Sequence, residues 1–363
     1  MAEKERISEL EAELTKTKYN KRTQHHIGLV KAKIAKLKFD AQQKKKGKGK
    51  SEGFVLRKSG DATVVLVGFP SVGKSTLLNK LTNANSKVAA YEFTTLTVIP
   101  GTLEYKHAQI QIFDVPGIVG GASEGTGRGR EVLSAIRSAD MIIVLLDIHQ
   151  LNHFKFLTKE LYNSDFRLNK KKPDVIIKRQ PRGGISIAST VPLKTDKKTL
   201  IGILNEFKIM NADVLIRTPI DADEMIDCIE GSKKYLPGLV VVNKIDTASD
   251  EQVEEAKKRF PKAVFISADS EVNLDELKER IYKKLKFMSI FLKEPGKEAD
   301  MNKPLIMQQG NTIKDLCDHL HKDLVKRYKF CRVWGKSPKY PGQKIVSLAH
   351  VLMDGDVAEL HLR

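Results

Sequence analysis

Gly68-Phe69-Pro70-Ser71-Val72-Gly73-Lys74-Ser75-Thr76 is the stretch of this chain whose residue types and spacing most directly specify a chemistry. It fits G-x-x-x-x-G-K-S/T. It follows the apolar β-branched run Thr63-Val64-Val65-Leu66-Val67 and leads into Leu77-Leu78-Asn79-Lys80-Leu81, which reads as a helix. Strand, glycine-bearing loop and helix together make a phosphate cradle, because backbone N–H groups and a helix N-terminus then face an anion. The expected contacts run from Gly68 through Pro70, Ser71, Val72 and Gly73 to Lys74, Ser75 and Thr76. Lys74 would reach the β- and γ-phosphates in a catalytic role, and the Ser75 hydroxyl would bind Mg²⁺.

The base is specified farther along. Asn243-Lys244-Ile245-Asp246 follows a second buried-strand run, Leu239-Val240-Val241-Val242. A carboxylate at Asp246 can accept from the N1–H and N2–H₂ of guanine. Adenine lacks both donors in that geometry, and a buried carboxylate left unpaired is costly. Asn243 is expected to tie this loop to the phosphate loop, the Lys244 stem to cover the base, and Ser267-Ala268 to supply a backbone contact to guanine O6. Asp114-Val115-Pro116-Gly117 lies between the two motifs. There Asp114 would hold Mg²⁺ through water and the Gly117 N–H would sense the γ-phosphate. Phe93-Thr94-Thr95-Leu96 occupies a polar stretch of suitable length for a switch. Thr95 is the expected Mg²⁺ and γ-phosphate contact, with Thr94 as the alternative. The elements of a guanine-nucleotide hydrolase are thus present in order, and GTP and GDP are the expected ligands.

These motifs, with Tyr91 to Thr97 and Asp114 to Arg130, resemble the Obg-related GTPases, and more narrowly the developmentally regulated GTP-binding (DRG) family. Lys21 to Leu37 and Val333-Trp334-Gly335-Lys336-Ser337 are similar to that family's N-terminal and C-terminal segments. The resemblance covers essentially the whole chain. It implies a cytoplasmic GTPase tied to ribosomes and translation, with rRNA and a family-specific regulatory protein as partners. It also implies a ribosomal-protein-like insert and a C-terminal TGS domain of β-grasp fold.

The chain has 363 residues, a net charge of +18 and a pI near 9.5, a balance that points to a polyanionic partner. Residues 1–50 alone carry +9, and Arg167 to Lys198 carry +8, so RNA contact is expected at both. Cys228, Cys317 and Cys331 show no C-x-x-C spacing and read as reduced structural thiols. Met141 to Leu146 is far too short to span a bilayer, and the first residues form no apolar signal core. A monomer is expected.

Alternating β-rich runs and helices predict an α/β protein built on a P-loop GTPase doubly wound sheet. The expected segments are a helical hairpin with a basic linker over 1–59, a GTPase domain over 60–149 and 236–289, a small α+β insert over 150–235, and a TGS-like β-grasp domain over 290–363. Within the insert, Val175 to Lys178 and Ile185 to Ala188 flank Pro181-Arg182-Gly183-Gly184 and read as a β-hairpin.

Ile118 stands where Ras-like enzymes place a water-orienting glutamine, so intrinsic hydrolysis should be slow. Arg128 and Arg130 are candidate fingers in cis. K⁺ is a candidate cofactor, weakened by Ser71 standing where K⁺-using relatives carry asparagine. A nucleotide-gated RNA-binding scaffold is the alternative function.

Overall fold

The computed structural model describes residues 2–18, 20, 23–46, 60–82, 99–115, 136–321 and 323–363. Thr95, Gly117, Ile118, Arg128 and Arg130 lie outside them. The chain divides into two compact units, residues 1–52 with 165–235, and residues 53–164 with 236–363.

The larger unit is built on a six-stranded sheet. Its strands are β1 (Ala62–Val67), β2 (Ile99–Tyr105), β3 (Ala108–Asp114), β4 (Met141–Asp147), β10 (Gly238–Asn243) and β11 (Val264–Phe265), in the order β11-β10-β4-β1-β3-β2. All pairs are parallel except β2 with β3. Every residue of β1 and β4 is buried, which is why both read as unbroken apolar runs rather than alternating ones. The helices α3 (Lys74–Leu81), α4 (His153–Asn163), α7 (Asp250–Arg259) and α8 (Leu274–Leu285) belong to this unit. Leu77, Leu78, Leu277 and Ile281 pack with Val64, Leu66 and Ile143 in one core. Parallel register sets the carboxyl ends of the strands side by side: Leu66 lies opposite Asp114, and Asp147 opposite Asn243. That edge is where an open α/β sheet binds its ligand.

The same unit contains a five-stranded sheet, β13-β12-β16-β14-β15. Its strands are β12 (Phe287–Leu292), β13 (Leu305–Gln308), β14 (Tyr328–Trp334), β15 (Gln343–Ile345) and β16 (Val357–Leu362). Helix α9 (Ile313–Leu320) covers one face, burying Ile313, Leu316 and Cys317 against Met288, Ile290, Cys331 and Val333. Thr312 starts α9 through a capping box with Asp315. A one-turn helix, α10 (Leu324–Arg327), precedes β14.

The smaller unit joins segments that the sequence separates. Helices α1 (Ala2–Lys16) and α2 (Gln24–Lys46) form the expected pair. They are not a separate module, because α2 packs on α5 (Lys197–Glu206) and α6 (Ala222–Glu230) of the insert. Ala32 is fully buried in a core with Leu200, Ile203, Val214 and Met225. Glycines let these helices approach. A Cβ on Gly28 would lie 2.7 Å from Thr199 Cγ2, and one on Gly202 would lie 2.7 Å from Leu29 Cδ2. The insert side of this unit begins at residue 165 rather than 150, since α4 belongs to the larger unit.

The expected hairpin is also corrected. Strands β6 (Val175–Arg179) and β7 (Ile185–Ser189) do not pair. Strand β8 (Ala212–Ile216) lies between them, antiparallel to β6 and parallel to β7. In that central place its alternate residues Ala212, Val214 and Ile216 are all buried, while Val175, Ile177, Ile185 and Ile187 of the flanking strands are partly buried against the same core. A short ribbon of β5 (Phe166–Leu168) and β9 (Lys234–Leu236) accompanies the start and end of the insert. From β5, Arg167 forks onto Asp227 at 2.6 and 2.7 Å, both buried.

Gly28→Val should drive two methyls into Thr199, whose hydroxyl is held by Asp196 at 2.6 Å and cannot yield freely. Urea unfolding of the full chain should show a loss of about 1–3 kcal/mol in the transition of the smaller unit. An unchanged transition would mean that the α2–α5 contact adds nothing to stability.

Candidate functional site

The phosphate loop is shaped by glycines at its two ends. Gly68 leaves β1 with so little room that a Cβ would lie 2.7 Å from the Leu145 carbonyl oxygen. Gly73 starts α3 in the left-handed region, at φ +91°, and a Cβ there would collide with the Asn243 amide. Ser71 is also left-handed, at φ +63°. Lys74 turns back over the loop and donates to the Gly68 and Phe69 carbonyls at 3.1 and 3.0 Å. Burial lowers its pKa, and the nearby Asp114 carboxylate works against that shift. The ammonium therefore sits at the loop mouth on two neutral acceptors, which a phosphate would outbid.

Ser75 donates its hydroxyl to Asp114 Oδ2 at 2.9 Å. The other carboxylate oxygen, Oδ1, is buried with no hydrogen-bond partner among the described residues. A hydroxyl beside a carboxylate with an unused buried oxygen is a hard oxygen donor set, and it fits Mg²⁺. Among the described residues there is no separate cluster of metal-ligating side chains.

The base end is organised by one amide. Asn243, 2% exposed, donates through Nδ2 to the Val72 carbonyl at 2.9 Å and accepts from the Ala268 N–H through Oδ1 at 2.9 Å. It thus ties its own loop to the phosphate loop and to the loop after β11. The Ala268 N–H makes this tie at the base end of the site. Ser267 is fully buried, and its hydroxyl accepts from the Ser270 N–H at 3.1 Å. Lys244 is left-handed, at φ +66°, and its ammonium reaches Asp147 Oδ2 at 2.7 Å. Burial would raise the Asp147 pKa, but Lys244 and the His149 N–H hold it below its ordinary value. Asp246 sits in a short 3₁₀ turn over Ile245–Thr247 and is exposed. Its carboxylate is open to solvent.

The structure therefore brings together Gly68 to Thr76, Asp114, Asn243 to Asp246 and Ser267-Ala268 at the carboxyl edge of one sheet. Asp147 was legible only as a strand end, and its grip on Lys244 follows from the β4–β10 register. Phe69 was also missed. Its ring stacks on His153 of α4 at 3.9 Å, with Phe156 at 5.7 Å, and no spacing rule signals that contact.

Three family models match consecutive parts of the chain: a 50S ribosome-binding GTPase over residues 63–179, the C-terminal region of that domain over 182–287, and a TGS domain over 288–362. An uncharacterized GTP-binding protein of Methanocaldococcus jannaschii is 53% identical over 100% of this chain and 94% of its own length. Developmentally-regulated GTP-binding protein 2 of Homo sapiens and developmentally-regulated G-protein 3 of Arabidopsis thaliana are each 44% identical over 98% of both chains. Among solved structures, the YchF GTPase of Schizosaccharomyces pombe matches 85% of this chain and 100% of its own at 15% identity, with a TM-score of 0.44. Era of Aquifex aeolicus matches 76% of this chain and 72% of its own at 20% identity, with a TM-score of 0.32.

Asn243→Ala would strand the Val72 carbonyl and the Ala268 N–H, at about 1–3 kcal/mol for each group that water cannot reach. Fluorescent GDP should bind about tenfold more weakly or worse. Full affinity in a folded variant would show that the two loops are not coupled through this amide.

Proposed function

This chain belongs to the developmentally regulated GTP-binding family and is a GTP-binding GTPase with a C-terminal TGS domain, and we propose that it works as a nucleotide-dependent switch on the ribosome. One observation carries the ribosomal reading. The two basic stretches, residues 1–50 and Arg167 to Lys198, belong to one compact unit. Lys170, Lys171, Lys172, Lys178, Arg179 and Arg182 are exposed on it. Arg167 is the exception, since it is buried on Asp227 and is not part of the surface charge. Such a cationic surface attracts RNA phosphates by releasing their counterions. The matched GTPase family, described as ribosome-binding, supports the same partner.

In this reading Lys74 leaves its loop carbonyls for the β- and γ-phosphates, while backbone N–H groups of Gly73 to Thr76 face the same oxygens. Ser75 and Asp114 hold Mg²⁺, with Thr95 completing the set. The ion supplies neutralisation of the charge that develops on the transferred phosphoryl group. Gly117 orders its segment on the γ-phosphate. Asp246 reads N1–H and N2–H₂ of guanine, and Lys244, steadied by Asp147, covers the base with its stem. Ser267-Ala268 supply the backbone contact to O6, beside the Ala268 N–H bond to Asn243. The chain acts in the cytoplasm as a monomer, with rRNA and a family regulatory protein as partners and K⁺ as a candidate stimulant. No helix among the described residues is long and apolar enough to cross a membrane.

Asp246→Asn should weaken GTP binding and shift preference toward xanthosine triphosphate, whose 2-oxo group accepts from an amide. Competition of fluorescent GDP by ATP, GTP and xanthosine triphosphate measures this. Equal competition by ATP in the unaltered protein would remove the base-reading assignment.

Deleting residues 1–50 would take Ala32 out of a shared core, so charge reversal is the cleaner test of the RNA surface. Lys171→Glu, Lys172→Glu and Arg182→Glu together should weaken ribosome co-sedimentation and reduce the salt slope by about one for each phosphate no longer neutralised. GDP affinity should not change. Unaltered pelleting at every salt concentration would exclude this surface from docking.

A further inference from the structure

The outward face of the C-terminal sheet has no part in nucleotide binding. Along β14, Cys331 and Val333 turn into the core, so Phe330, Arg332 and Trp334 share the opposite face. His361 lies across from Phe330 on β16, and the two rings stack at 4.2 Å and 17°. Lys344 lies across from Arg332 on β15, with its ammonium 4.4 Å from the Phe330 ring centroid. The Lys293 ammonium stands 4.4 Å from the Trp334 centroid. Backbone positions the indole too, since a Cβ on Gly342 would lie 3.0 Å from its nitrogen. From Lys326 to Lys344 the sequence has seven basic residues and no acidic one. Arg332, Lys336, Lys339 and Lys344 are exposed and make no ion pair with a described residue. Glu359, the acidic group of this face, is buried and already paired with Lys293 at 3.2 Å and His361 at 2.6 Å.

We propose that this face binds single-stranded RNA, with bases on Trp334 and Phe330 and phosphates on Arg332, Lys336, Lys339 and Lys344. The chemistry selects that occupant over other polyanions. An aromatic ring on an open sheet face accepts any unpaired base, and the flanking cations track the backbone. The two lysines now held over the rings by cation–π attraction are the groups a base would displace, and displacement frees Lys344 for a phosphate while Lys293 keeps its pair with Glu359. A duplex keeps its bases stacked inside and cannot use the rings. An acidic peptide would satisfy the cations and leave the rings without a partner. The inference shares with the ribosomal reading only the class of the partner.

Trp334 is the sole tryptophan of the chain, so its emission reports on this face alone. Titrating the full chain with a short oligoadenylate should quench that emission saturably. Duplex RNA of equal length and polyglutamate should leave it unchanged. Phe330→Leu and Lys344→Glu should each weaken the quench-detected affinity by about tenfold, with melting and GDP binding unaltered. Two results would overturn the proposal. One is oligoadenylate binding, seen by anisotropy, without a change in Trp334 emission. The other is quenching by polyglutamate to the same extent, which would make the face an acidic-protein surface. Ribosome co-sedimentation run beside the titration separates the two readings. Pelleting without quenching removes only the sheet face, and quenching without pelleting removes only the ribosome.

Discussion

The site depends on a single buried amide. Asn243 holds the Val72 carbonyl with one end and the Ala268 N–H with the other. These two loops follow strands that are not neighbours in the sheet, because β4 and β10 lie between β1 and β11. Without a side chain of that length and both hydrogen-bond characters, phosphate binding and base binding would be positioned independently. An aspartate could not donate to the carbonyl, and a leucine could do neither. The requirement also explains Gly73, since the space a Cβ would occupy is filled by the amide.

A second constraint is electrostatic. The carboxyl edge of the sheet concentrates Asp114 and Asp147, both almost fully buried, and each is met by a different partner. Asp147 is neutralised within the protein by Lys244. Asp114 accepts the Ser75 hydroxyl, has the Lys74 ammonium nearby, and keeps an oxygen without a hydrogen-bond partner among the described residues. The contrast separates the carboxylate that organises structure from the one with capacity for a cation. Burial at a strand end is common to both, so it cannot be the criterion. The pairing is.

Much of this was legible in the residues because phosphate and guanine impose fixed spacings. Gly68 to Thr76 and Asn243 to Asp246 could be placed at strand ends from the apolar runs before them, and Thr312 could be recognised as a helix cap. The misreadings have a common origin in long-range packing. Gly183-Gly184 is a good turn, and nothing local to it reveals that Ala212–Ile216 will enter between the flanking strands. The basic N-terminal segment reads as an appendage because its charges are dense, while the partner of its apolar face lies far along the chain. The bond of the Ala268 N–H to Asn243 and the exposure of Asp246 depend on three-dimensional geometry that no spacing encodes.

That separation bears on how the protein is made. Helix α2 is complete by Lys46, but α5 does not begin until Lys197. At ordinary rates of synthesis the apolar stripe of α2 waits on the order of ten seconds for the helices that cover it. The larger unit cannot close in that interval either, since β10 and β11 follow the insert in sequence. During this time the lysines flanking Ile27, Val30 and Ile34 oppose association of the emerging segment with other copies by like-charge repulsion. The positive charge of this segment is thus present on the chain for seconds before the surface it ends on is assembled.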